Sequence, residues 1–206
     1  MITDDARLVD DKACQVESWV RRNRDSTEAW ALPSCNFSGN LELTLGGART
    51  RELGTTRTTD VLAQGKTLFR RLDTNGWGIG LALGTVGHPD GDRKRDWYGY
   101  VPTSFSYLDD KVVIHTNIGI LRVGDSRRSH LTWGLATETQ LAPRTWLVAE
   151  TFSQGDRVPF HQIGLRTWIV PNRVQVDATY GNRNARGSEE RWFSIGLRLL
   201  TPAFLP

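Results

Sequence analysis

Hydrophobic and polar residues alternate with a period of two along most of the chain from Gln15 onward, and helical periodicity is hard to find anywhere. "GWGIGLALG" sets Trp77, Ile79, Leu81 and Leu83 against Gly78, Gly80, Ala82 and Gly84. "HLTWGLATETQL" separates Leu131, Trp133, Leu135 and Leu141 from Thr132, Gly134, Ala136, Glu138 and Gln140. "RVQVDATYG" and "WFSIGLRLL" repeat the pattern, with Val176, Ala178, Phe193 and Ile195 opposite Gln175, Asp177, Ser194 and Arg198. Successive side chains of a strand point to opposite faces, so each stretch reads as a strand with one apolar face. The pattern predicts twelve strands, starting near Cys14, Thr27, Gly39, Val61, Gly76, Asp96, Lys111, Arg128, Thr145, Pro159, Arg173 and Arg191.

The connections between these strands alternate in length. Short ones ("NFSG", "DTNG", "LDDK", "APR", "PN") are interleaved with longer polar ones ("RNRDS", "GGARTRELGTTRTTD", "GHPDGDRKRD", "VGDSRRS", "SQGDRV", "NRNARGSEE"). Short turns at one end and longer loops at the other, joining an even number of strands, is the layout of an all-β, antiparallel up-and-down transmembrane β-barrel. The short turns would then be periplasmic and the longer loops would face outward. Residues 1–12 form a short N-terminal extension and 13–206 a single barrel domain in this reading. A soluble β-barrel binding protein is the competing architecture.

The polar face carries the candidate lumen residues. Lys66, His115, Asn117, Glu138, Glu150, Gln162, Arg166, Gln175, Asp177 and Arg198 would line the interior, with Glu42 beside them. In a soluble barrel those positions would form a hydrophobic core. Their charges either pair across the lumen or act as a selectivity lining for small anionic or aromatic solutes, with Arg166 and Arg198 as the attracting groups. The strand around Lys66 to Arg71 and the one with Trp146, Val148, Glu150 and Phe152 mix apolar and polar residues, so their faces stay unassigned.

The first two strands can be registered from sequence. Folding "ACQVESWVRRNRDSTEAWALPSC" about Arg24 and Asp25 opposes Cys14 to Cys35, Trp19 to Trp30 and Arg21 to Glu28. Aromatic and opposite-charge cross-strand pairs stabilise antiparallel strands, so the register predicts a hairpin with a disulfide at its open end. Its charged face, with Glu17, Arg21 and Glu28 beside Trp19, Trp30 and Leu32, is expected to face the lumen.

Composition narrows the alternatives. At 206 residues, 38% hydrophobic and 24% charged, the chain is long and apolar enough to fold. No run approaches the roughly 20 apolar residues of a helical membrane span, which leaves strands as the membrane-crossing option. A net charge of +3, scattered among acids, gives no footprint for nucleic acid. The start "MITDDARLVDD" lacks the basic and apolar regions of a signal peptide, and Met1 is expected to replace a removed leader. His88, His115, His130 and His161 lack metal-ligand spacing, so no metal or cofactor is expected. His115 with Asn117, or His130 with Ser129, are the candidates for the less favoured reading as an outer-membrane hydrolase. Arg93, Lys94, Arg95, Arg127 and Arg128 fall in the longer loops, where they would meet lipopolysaccharide phosphates.

The pieces "QGKTLFRRLDTNGWGIGLALG", "VVIHTNIGILR", "LTWGLATETQLAPRTWLVAETF" and "RVQVDATYGNRNARGSEERWFSIGLRLLTPAF" resemble the outer-membrane barrel family of transporters of the MetA pathway of phenol degradation. The resemblance implies a barrel in the Gram-negative outer membrane with Lys66, His115, Asn117, Glu138, Glu150, Asp177 and Arg198 on its inner wall. The Cys14 to Cys35 hairpin is not part of that pattern. The expected function is a narrow channel or passive transporter for small solutes, not an enzyme, in contact with outer-membrane lipid. The alternative is a non-conducting barrel whose loops bind a partner.

Overall fold

A computed structural model describes residues 2–52, 55–90, 94–155, 157–185 and 188–206. Met1 and Arg93 lie outside them. The first six strands are β1 (Cys14–Asn23), β2 (Ser26–Asn36), β3 (Glu42–Glu52), β4 (Thr55–Arg70), β5 (Trp77–Gly87) and β6 (Asp96–Tyr107). The second six are β7 (Val112–Arg122), β8 (Ser129–Ala142), β9 (Thr145–Ser153), β10 (Phe160–Val170), β11 (Val174–Ala185) and β12 (Ser188–Leu200). Each pairs antiparallel with its sequence neighbours, and β1 pairs with β12 from Gln15↔Leu200 to Asn23↔Trp192, closing the barrel. Closure leaves no unpaired edge, the condition for a sheet surrounded by hydrocarbon.

The alternation sorts the faces as expected. Leu45, Ile118 and Leu131 are about two-thirds exposed on the outside, while Ala82, Ser104 and His115, on the opposite face, are fully enclosed. The first hairpin has the register read from its sequence: Cys14↔Cys35, Trp19↔Trp30 and Arg21↔Glu28. The cysteines are bonded, with S–S 2.04 Å and Cα–Cα 4.1 Å. The two indoles stack at 5.5 Å between centroids and 11° between planes.

Two expectations are corrected, and the two unassigned strands are resolved. The stretch "GGARTRELGTTRTTD", read as a loop, is mostly paired strand: β3 runs to Glu52 and β4 begins at Thr55, six residues before the expected start. "NRNARGSEE" likewise extends β11 and β12. Apart from Ala48 and Ala185, the residues of these extensions are glycine or polar, so no apolar alternation in the sequence marks them as strand. The mixed strands owe their appearance to different causes. In β4 the register shifts between Leu68 and Arg70, so that Phe69 and Arg70 are both exposed after the enclosed Leu68 and the alternation breaks at the end of the strand. In β9, Val148, Glu150 and Phe152 all point inward, because this part of the interior holds apolar as well as polar side chains.

Candidate functional site

Residues 2–13 fold back into the barrel, and much of the inner wall is organised around them. Glu150 of β9 accepts the backbone N–H groups of Ile2, at 3.0 Å, and of Thr3. Asp4 meets three strands: Lys66 Nζ of β4 lies 2.8 Å from Oδ1, the Tyr100 hydroxyl of β6 donates to Oδ2 at 2.8 Å, and the Asn117 amide of β7 bonds both its N–H (2.7 Å) and its carbonyl (3.0 Å). Further along, Ala6 N–H donates to Ser104 Oγ at 2.8 Å and Val9 N–H to Glu42 Oε2 at 2.7 Å. Asn36 Nδ2 donates to the Val9 carbonyl at 2.9 Å. A segment with no strand neighbours must find side-chain partners for its backbone groups, and the inner wall supplies them.

The wall also makes room for large groups. A Cβ at Gly134 would sit 2.2 Å from Thr3 Oγ1, one at Gly181 2.2 Å from the Trp192 indole, and one at Gly84 2.3 Å from the Tyr98 ring. The inward glycines are therefore seats for neighbouring side chains, which is why Gly alternates with apolar residues in strands such as β5.

The expected interior residues fall into two groups. Lys66, Glu150, Asn117, Glu138 and His115 surround the inner segment. There Ser104 Oγ lies 2.7 Å from His115 Nδ1, Arg166 pairs with Glu138, and Gln162 donates to Glu150. Arg166, Arg198, Gln162, Gln175 and Asp177 line a second region, a cavity of about 70 Å³ against β1 and β10–β12. Arg198 Nε is 2.7 Å from Gln15 Oε1 and 3.2 Å from Glu17 Oε1. The Arg21–Glu28 pair read from the hairpin is a backbone register but not an ion pair. Glu28 instead accepts from Asn23 Nδ2 at 2.7 Å and from Trp30 Nε1 at 3.1 Å.

A larger cavity of about 1150 Å³ runs beside the inner segment, from Arg24, Asp25 and Gln154 at the loop end to Gln15, Ser34 and Thr44 near the turn end. Its lining joins charged groups such as Lys66 and Asp60 to aromatic ones such as Trp30 and Tyr98. Sequence reading missed Asp4, Ser104, Tyr98 and Tyr100. The inward phase of "WYGYVPTSFSY" gives Tyr98, Tyr100, Ser104 and Ser106 once β6 is placed, whereas nothing periodic marks Asp4. Arg127, Arg128, Lys94 and Arg95 are exposed in the loops, and His130 and His161 do not join the Ser104–His115 cluster.

The barrel is similar to solved porin structures. The KdgM porin in complex with disordered oligogalacturonate superposes with a TM-score of 0.69 at 8% identity, covering 90% of this chain and 98% of that one. The NanC porin gives 0.67 at 14% identity over the same shares. The COG4313 outer membrane channel from Pseudomonas putida F1 gives 0.60 at 13% identity, covering 95% of this chain and 96% of that one. At such identities the likeness establishes the shared fold. A comparison with curated proteins finds no match. The family described as "Uncharacterised conserved protein UCP029691" matches residues 1–200, and the chain belongs to it.

Proposed function

We propose that the protein is a narrow channel or passive transporter for small solutes in the Gram-negative outer membrane, with its short turns on the periplasmic side. The cavity that runs from the loop end to the turn end inside a closed barrel carries this reading, because its lining mixes charged, polar and aromatic side chains while the outside is apolar. The strand motifs that resemble the MetA-pathway transporters support the same assignment. So does the fold shared with the porins. The exposure of Lys94, Arg95, Arg127 and Arg128 in the loops supports contact with lipopolysaccharide phosphates. The Ser104–His115 pair is read as structural: both side chains are fully enclosed, and Ser104 Oγ already accepts from Ala6.

A second reading, a non-conducting barrel, is favoured by one observation: residues 2–13 occupy part of the lumen. Planar-bilayer recording separates the two. A channel gives resolvable current steps after refolding is verified by heat-modifiable migration in a gel. A correctly folded protein with no current would rule out the channel and leave the sealed barrel.

A further inference from the structure

The wall formed by β1, β10 and β12 holds N–H donors without acceptors. Period-two alternation turns Glu17, Trp19 and Arg21 of β1 inward, and the closing register sets them against Arg198, Gly196 and Ser194 of β12. Gly196 carries no side chain opposite Trp19; the Asp177 carboxylate lies over it, 2.5 Å from where a Cβ would stand, and the small cavity lies beside that group. Two of the three arginines around it are neutralised, Arg166 by Glu138 and Arg198 by Glu17. Arg21 is not. Its cross-strand neighbour Glu28 is turned to Asn23 and Trp30, and the Arg21 guanidinium lies 5.3 Å from the ring centroid of Trp192. Arg21 Nε, Trp19 Nε1, Arg166 Nε and Trp192 Nε1 are all enclosed and have no hydrogen-bond partner among the described residues, and Trp192 is only 6% exposed. All four residues line the larger cavity.

Enclosed donors are ordinarily satisfied, so a cluster of four calls for an explanation. An unpaired guanidinium among them selects a charged acceptor over a neutral one, since arginine matches the planar fork of a carboxylate. Beside these donors Phe152, Phe160 and Trp192 form an aromatic cluster, with centroids 5.2 Å apart for the two phenylalanines and 5.8 Å for Phe160 and Trp192. Such edges suit an unsaturated ring better than an aliphatic chain. We infer that this wall is a binding subsite for a small aromatic carboxylate, its anionic end at Arg21 and Trp19 and its ring against the Phe152–Phe160–Trp192 cluster.

The inference rests on solutes reaching the lumen, as the channel reading requires. Isothermal titration of the refolded protein in detergent micelles tests it with sodium benzoate and, as the uncharged isostere, benzamide. Benzoate is expected to bind saturably and at least tenfold more tightly than benzamide. Arg21→Gln should weaken benzoate at least tenfold, and Arg21→Lys less, with both variants checked for heat-modifiable folding. Equal binding of the two probes, or unchanged benzoate affinity in Arg21→Gln, would overturn the subsite. Should Arg21→Gln fail to fold, Trp19→Phe replaces it, with weakened benzoate expected and unchanged affinity counting against the subsite. Conductance without benzoate binding would remove the subsite and leave the channel. Binding without conductance would place the subsite in a sealed barrel.

Discussion

Lys66 Nζ of β4 lies 2.8 Å from Asp4 Oδ1, joining the wall to a segment 62 residues away in sequence. The lysine side chain is 4% exposed, and Asp5 Oδ1 lies a further 3.5 Å from the same nitrogen. An ammonium so enclosed needs its carboxylates.

Replacing Lys66 by Met should therefore release residues 2–9 from the wall. Leaving Asp4 and Asp5 without their partner costs on the order of 3 kcal/mol in a fully buried setting, and less where lumen water reaches Asp4. Single-channel conductance is expected to rise, and the unfolding midpoint in urea to fall. Conductance at the wild-type level in a folded variant would show that the segment does not limit flow.

The disulfide closes a 21-residue separation at the end of the first hairpin. Cys14→Ser with Cys35→Ser should lower stability by about 3 kcal/mol through the greater freedom of the unfolded chain. The barrel should still close, because the stacked Trp19 and Trp30 and the β1–β12 ladder are untouched. Urea unfolding of the two forms in detergent, compared at fixed pH, checks this.

Two glycines of neighbouring strands should respond oppositely to alanine. A Cβ at Gly46 would sit 2.2 Å from the Ala31 carbonyl oxygen, beside the gap in the β2–β3 ladder at Pro33, which has no N–H to donate. At Gly65 the nearest atom is a Leu43 methyl at 3.6 Å. Gly46→Ala should cost roughly 1–3 kcal/mol, as overpacking against backbone does. Gly65→Ala should be close to neutral, and refolding yield with thermal gel shift will show the contrast.

The turn between β6 and β7 is expected to be acid-sensitive. Asp110 accepts from the Ser106 hydroxyl and from Thr74 Oγ1 at 2.6 Å, and these bonds hold its carboxyl below the ordinary aspartate value of 3.8. A depressed folded-state pKa means that the ionised form favours the folded turn. Its contribution is complete above the unfolded value and is lost as pH falls through the folded one. Amide protection factors at the turn, which correct for the intrinsic slowing of exchange in acid, should fall below about pH 4 in the wild type. Asp110→Asn should show fast exchange already at neutral pH and little further change on acidification.

Much of the barrel was legible in the chain because period two reports directly which side chains face out. The hairpin register was legible for a further reason: cysteine, tryptophan and opposite-charge pairs all fell into the same alignment. Even there, Arg21 and Glu28 were aligned but not bonded, since Glu28 has nearer donors on its own hairpin.

Other features depend on what the closed barrel brings together. The bulge at Leu68 and Arg70 resets the face at the end of β4, and local pattern cannot distinguish a reset from noise. Val148 and Phe152 are apolar yet inward, and for Phe152 the reason is the ring contact with Phe160 and Trp192 inside the barrel. Period-two alternation by itself determined twelve strands and most of their outward faces, because these follow from the pleat, and the cysteine, tryptophan and charge pairs added the first pairing. Only the tertiary structure decided that Asp4 meets Lys66 and that Arg21, with no acid beside it among the described residues, lies over Trp192, because those partners are distant in sequence and meet only when the barrel closes.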